Sequence, residues 1–228
     1  MSFFCLVHGS GQGPSGWDLL VPELTKRGHH AVCADLPTNE PEAGAARYAR
    51  VIADTLASAK TPAIVLAHSA SGMFLPLVPD YCAVEHMVFL GALIPEPGKS
   101  VRQRFQADRN MFNPEWVGQD PTTYPSVAKK FVFHDCEPAV VDWALTTMRL
   151  MYARAAMEEP CPLQRWPDVP STYILPREDR TINPEWWRKE ATRLLGKPPL
   201  EIGGGHCPFI SRPVELAEMV CNISPQPI

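Results

Sequence analysis

Ala67-His68-Ser69-Ala70-Ser71-Gly72 decides the reading of this chain. It closes an apolar run, AIVLAH at 63–68, and opens into a second, GMFLPLV at 72–78. A surface loop has no need of small residues on both sides of a serine. A serine whose hydroxyl must project from a cramped strand-to-helix turn does need them, because the strand and helix backbones then approach closely. A serine among small residues is also an ordinary turn residue or helix cap, so the reading depends on what surrounds it.

Working outward, the apolar residues 3–7 end at His8-Gly9 and read as a buried strand, followed by the glycine-rich turn GSGQGPSGW. Trp17, Leu20, Val21 and Leu24 recur at helical spacing, and Gly28 closes that helix. AVCAD at 31–35 reads as a strand, and Tyr48, Val51, Ile52, Thr55 and Leu56 mark the next helix. After the serine turn come a short helix and the strand HMVFLGAL at 86–93. The alternation stops over about 95–168, where one long amphipathic helix is expected across AVVDWALTTMRLMYARAAM, residues 139–157, opened by Pro138. It resumes with the strand STYIL (171–175), a helix over 184–196, the strand LEI (200–202) and a last helix over 213–220. Strands alternating with helices imply a mostly parallel sheet covered on both faces. The expected organisation is a single α/β domain carrying a small cap inserted at about 95–168.

A serine hydroxyl is a poor nucleophile at neutral pH and needs a general base oriented by a carboxylate. On this architecture the chain order is serine, acid, histidine, with the acid after a late strand and the histidine after the last. Glu178 and Asp179 stand immediately beyond TYIL, and His206 follows LEI in the loop GGGHCPF. Order and placement together select Ser69 and His206, with either acid as partner. Two backbone N–H groups must then hold the oxyanion: that of Ala70, after the nucleophile, and that of Ser10, in the turn after the first strand. His8 and His68 are placed for structural hydrogen bonds, and Asp35 for tying down its loop.

The 228 residues carry 21 basic and 25 acidic side chains, a formal charge of −4. No basic block or aromatic-basic interleaving recruits nucleic acid or a membrane surface. Seven cysteines are scattered without a C-x-x-C pair, and the N-terminus lacks a secretory pattern, so a cytoplasmic protein with reduced thiols is expected. No apolar run reaches membrane-spanning length.

VHGSGQGPSGW, AHSASG, REDRTINPEW and GGGHCPFISRPVELA together resemble the α/β-hydrolase superfamily. The resemblance is strongest to the group of plant methyl esterases, hydroxynitrile lyases and small bacterial esterases, and it spans the whole chain. It implies an α/β-hydrolase fold, a Ser69–His206–Asp179 triad, an oxyanion hole at Ser10 and Ala70, no cofactor, and a pocket roofed by the cap. Asp179 rather than Glu178 is the acid by this resemblance. The departure is at the turn, where Ala67 and Ser71 replace the usual glycines, which should tighten it without abolishing it. Ser69 stands where dehalogenases and epoxide hydrolases of this fold carry aspartate. Gly9 and Cys207 stand where the hydroxynitrile lyases typically carry threonine and lysine.

Ester hydrolysis is therefore the expected chemistry, on a small, apolar or aromatic ester. A lyase, carbon–carbon hydrolase or cyclase using the same triad is the alternative, and a non-enzymatic ligand receptor a weaker one. Phe112, Trp116, Trp143, Met148, Met151 and Tyr152 of the cap are the expected pocket residues. His134, in the cluster His134-Asp135-Cys136, is a further pocket candidate, although capping of the helix at Pro138 is the simpler role for that cluster. No metal site is expected. The only partner expected is a small-molecule substrate, and the chain is expected to be a monomer or homodimer.

Overall fold

In β1 (Phe3–Val7), Phe4 and Leu6 enter one apolar cluster while Cys5 and Val7 enter another. Successive side chains leave opposite faces of a strand, so the two clusters are the two sides of a sheet. β3 (Ala63–His68), β4 (Val84–Leu90) and β5 (Ser171–Pro176) divide the same way. With β2 (His30–Ala34) and β6 (Leu200–Ile202) they form a six-stranded sheet ordered β2-β1-β3-β4-β5-β6, parallel throughout. α1 (Leu20–Lys26) and α9 (Pro213–Ile223) cover the Phe4 side, and α2 (Ala45–Thr55) and α7 (Pro184–Leu195) the Cys5 side. This is the α/β-hydrolase arrangement. The structure, a computed structural model, describes residues 1–223. None of its helices, among these residues, is long and apolar enough to cross a membrane.

Between β4 and β5 the chain leaves the sheet. α3 (Val101–Ala107), α4 (Pro125–Val127), a π-helical turn (Ala128–Val132), α5 (Pro138–Thr146) and α6 (Arg154–Glu158) follow one another. The segment closes on itself at its base, where the Gly98 N–H donates to the Cys161 carbonyl (3.0 Å) and the Cys161 N–H to the Lys99 carbonyl (3.1 Å). α8 (Pro208–Ser211) is a single turn after the last strand.

Three local expectations give way. Trp17 sits in a separate 3-10 turn, Pro14–Trp17, rather than on α1. After Ser69 the chain makes two 3-10 helices, Ser69–Met73 and Leu75–Asp80, instead of one apolar helix, because Pro76 and Pro79 withhold backbone donors. The long helix over 139–157 is broken: α5 ends at Thr146 and α6 begins at Arg154. The Thr146 and Thr147 hydroxyls bond back to the carbonyls of Trp143 (2.6 Å) and Ala144 (2.8 Å), an alternative that competes with continued helix. The released arm, residues 147–153, then pairs with the turn after β1. The Gly13 N–H donates to the Thr147 carbonyl (3.3 Å), the Arg149 N–H to Gly11 (3.1 Å) and the Met151 N–H to Ser10 (2.7 Å). That tertiary pairing overrides the amphipathic pattern.

Candidate active site

All the groups of interest emerge from the C-terminal edge of the sheet, where the chain order turns back between β1 and β3, the usual ligand edge of such a fold. Ser69 follows the last residue of β3 and holds φ at +54°, the one positive φ of a non-glycine residue among the described residues. Such a conformation costs free energy and persists only where the surroundings enforce it. Here the Leu93 N–H donates to the Ser69 carbonyl (2.9 Å) and the Ser71 hydroxyl to the His8 carbonyl (2.5 Å). The close approaches belong to other residues than the two small ones flanking Ser69. A Cβ on Gly72 would stand 2.5 Å from the Leu93 carbonyl oxygen, and one on Gly9 would stand 2.8 Å from the Ser69 Cβ. Ser71 is thus a hydrogen-bonded tie between the serine turn and the turn after β1.

The structure brings Ser69, His206 and Asp179 into one chain. Ser69 Oγ lies 3.0 Å from His206 Nε2, and His206 Nδ1 lies 2.6 Å from Asp179 Oδ2. A proton on Nδ1, facing the carboxylate, leaves Nε2 free to accept from the serine hydroxyl. The Asp179 side chain is completely buried. Its other oxygen accepts from the Thr181 N–H (2.7 Å), the Thr181 hydroxyl (2.9 Å) and the Ile182 N–H (3.2 Å). Those three donors offset the cost of burying a carboxylate and aim it. The Thr181 hydroxyl is also 2.9 Å from His206 Nδ1. Thr181 gave no sequence signal beyond lying two residues after the acid.

Glu178, the rival acid, does not reach His206. Its half-exposed side chain accepts from the Gly204 N–H, and its own N–H donates to the Gly204 carbonyl (3.0 Å). It staples the acid loop to the histidine loop. His134 and Asp135 join the same staple rather than capping α5 or entering the cavity. The His134 Nε2–H donates to the Glu178 carbonyl (3.0 Å), and Asp135 accepts from the Gly205 N–H (2.8 Å). The N-cap of α5 is Glu137, which makes no side-chain cap.

Ala70 lies in the opening turn of a 3-10 helix, where N–H groups have no intrahelical acceptor. Ser10 borders the cavity beside Ser69, its carbonyl engaged by the arm as above. Arg149 of the arm is ion-paired with Asp35, beyond β2, so Asp35 does secure a loop. His8 accepts from the Leu36 N–H at Nε2 (3.1 Å) and shares its Nδ1 proton with the Gly9 carbonyl (2.9 Å). Burial is the main cause that lowers its pKa to about 4, with Arg149 adding to it. His68 donates from Nε2 to the His206 carbonyl (2.9 Å), and burial, with His206 beside it, holds its pKa well below the usual imidazole range. Both are neutral structural groups near pH 7. Cys207, next to His206, donates its thiol to Gln12 Oε1 (3.5 Å), and burial pushes its pKa well up; it is no nucleophile.

A cavity of about 290 Å³ opens over Ser69 and His206 and is bordered by Trp116, Met148 and Tyr152. Phe112 and Met151 instead line a neighbouring groove. Trp143 reaches neither, because it packs half-buried against the apolar cluster on the Phe4 side of the sheet. Among the described residues, no three His, Cys, Asp or Glu side chains converge as metal ligands.

The model of the alpha/beta hydrolase family matches residues 6–219. The chain belongs to that family. Solved alpha/beta hydrolases superpose over nearly its full length. Polyneuridine aldehyde esterase is 22% identical, with 99% of this chain and 100% of that one covered and a TM-score of 0.81. An extracellular alpha/beta-hydrolase from a Paenibacillus species, described as sharing structural and functional homology with tobacco salicylic acid binding protein 2, is 20% identical, with coverages of 99% and 100% and a TM-score of 0.77. A methylesterase from Arabidopsis is 18% identical, with coverages of 98% and 98% and a TM-score of 0.74. A search of curated proteins finds no match.

Proposed function

We propose that this alpha/beta hydrolase is a serine carboxylesterase that cleaves a small ester with an apolar or aromatic part through an acyl-enzyme on Ser69. The observation that carries the reading is the unbroken line Ser69 Oγ–His206 Nε2, His206 Nδ1–Asp179 Oδ2, at 3.0 and 2.6 Å. Ser69 attacks the ester carbonyl as His206 takes its proton, and Asp179 stabilises the resulting imidazolium. The Ser10 and Ala70 N–H groups receive the charge that develops on the carbonyl oxygen. His206 then protonates the departing alcohol. In the second half-reaction it takes a proton from water, whose oxygen attacks the acyl carbon and releases Ser69.

Residues 95–168 act as a cap over this site, since Trp116 and Met148 border the cavity from that segment. The names of the superposable enzymes, polyneuridine aldehyde esterase and a methylesterase, agree with ester chemistry. Seven unpaired cysteines are consistent with a reducing, cytoplasmic setting. The test is turnover of p-nitrophenyl acetate by the wild type and by Ser69→Ala. A loss of at least about a thousandfold in kcat is expected with the fold retained. Equal turnover by the two proteins would reject the acyl-enzyme.

A further inference from the structure

Two hollows meet at the arm that runs beside the turn after β1. The first, about 290 Å³, contains Ser69 and His206, and its border is mixed: Gln12, Gln119, Asp120 and Thr122 face it together with Trp116 and Met148. The second is a groove of about 540 Å³ on the other side of the arm, walled by Val101, Phe105, Phe112, Met151 and Met157. Ser10, Leu150 and Tyr152 line both. The hollows are therefore adjoining compartments, and Ser10, whose N–H receives the carbonyl charge in the mechanism proposed above, lines both.

Size and chemistry separate the compartments. Pockets for small molecules commonly run from about 300 to 1,000 Å³; the first compartment alone lies at the bottom of that range, and the pair lies well within it. Leu150, 38% exposed, and Tyr152, 59% exposed, stand uncovered at the seam between the two compartments. At the rim Arg102 and Arg154 both bind Glu158, at 3.0 and 3.4 Å, which leaves one positive charge in excess at that exposed edge. The apolar walls do not favour an ionic group.

We propose that the substrate is a two-part ester that straddles the arm. Its compact, oxygen-bearing part occupies the compartment over Ser69. Its other part, an uncharged alkyl chain or ring system, lies across Leu150 and Tyr152 into the groove walled by Phe105, Phe112 and Met157. This rests on the esterase reading and adds to it a second subsite and the class of group that fills it. No new bond-making step is involved; the groove contributes burial of apolar surface.

The experiment has a turnover arm and a binding arm. In the first, kcat/KM is measured for p-nitrophenyl esters from acetate to octanoate, which lengthen the acyl half, and for acetates of butanol to decanol, which lengthen the alcohol half. One series is expected to rise at least about tenfold with length as methylenes enter the groove, and Met157→Glu is expected to erase the rise. Val101→Trp, which fills the groove without charging it, should do the same and guards against a folding defect in the first variant. In the second arm, binding of 2-decanone and 2-butanone, which cannot be hydrolysed, is measured by calorimetry. Tighter binding of the longer ketone, at least about tenfold and lost in Met157→Glu, supports the groove even if no ester is turned over, in which case the esterase reading alone fails. Flat series on an active enzyme, or ketone binding that ignores both chain length and Met157→Glu, overturns the two-part substrate.

Discussion

The loops at the C-terminal edge of the sheet and the segment between β4 and β5 are built on opposite plans. Each edge loop is short and is held by hydrogen bonds to its neighbours, and those of Ser69 and Asp179 leave fully buried strands: Ser69 is held through Leu93, Ser71 through His8, Asp179 through Thr181 and Ile182. The segment has short helices, many exposed polar residues and little shared core of its own. It takes its shape from tethers to those same loops. Residues 111–113 pair with 181–183 beyond the acid, through the Asn113 N–H to the Thr181 carbonyl (2.9 Å) and the bridge between Phe112 and Ile182. His134 and Asp135 clasp the Glu178 carbonyl and the Gly205 N–H. The arm at 147–151 pairs with Ser10–Gly13. The difference teaches that, on the proposed mechanism, the edge supplies the reacting groups, while the segment tethers the loops that carry them. Substitutions at the edge should then abolish chemistry, and substitutions in the segment should degrade it.

After Ser69 and its base His206, the largest effect expected at the edge is at Asp179. Asp179→Asn removes the carboxylate that sets the His206 tautomer and should lower kcat by about 10³- to 10⁴-fold. A loss of less than tenfold, measured on p-nitrophenyl acetate, would mean that the buried acid does not orient the base. From the segment, Arg149→Ala should lower kcat by about tenfold with KM little changed, a fraction of the roughly 10²- to 10³-fold cost of losing an oxyanion donor. Arg149→Lys, which keeps the charge facing Asp35, should recover part of the rate. The pair is solvent-exposed and of little weight for stability, so a drop in melting temperature without a change in kcat would break the division drawn here. The smallest effect belongs to Glu178→Gln. It keeps an acceptor for the Gly204 N–H and should cost no more than a few-fold; a loss as deep as that of Asp179→Asn would make Glu178 the working acid.

This division also explains how far the chain could be read from its residues. Ser69, Glu178-Asp179 and His206 each stand within four residues of an apolar run, so strand periodicity and chain order found them. Choosing Asp179 over Glu178 needed the resemblance, because adjacent carboxylates differ only in which backbone they face. The sheet was legible for the same reason as the edge, with strand ends displaced by at most a few residues. The arm was not. Its apolar residues, Met148, Leu150 and Met151, fit a helix, and only its partners at Ser10–Gly13, more than 130 residues away in sequence, make it extended. Trp143, Phe112 and His134 were misplaced or split from the cavity because their positions depend on such long-range pairing. Thr181, and the tie that the Ser71 hydroxyl makes to His8, escaped notice because a hydroxyl in a loop carries no periodic signal.

The central claim is that Ser69, and no other residue, is the activated nucleophile. The most direct measurement is intact-protein mass spectrometry followed by peptide mapping after exposure to diethyl p-nitrophenyl phosphate, with the wild type and Ser69→Ala side by side. One diethylphosphoryl group on the peptide carrying Ser69, absent from the folded Ser69→Ala protein, is the predicted result. An unlabelled wild type, or equal labelling of both proteins at some other residue, would contradict it.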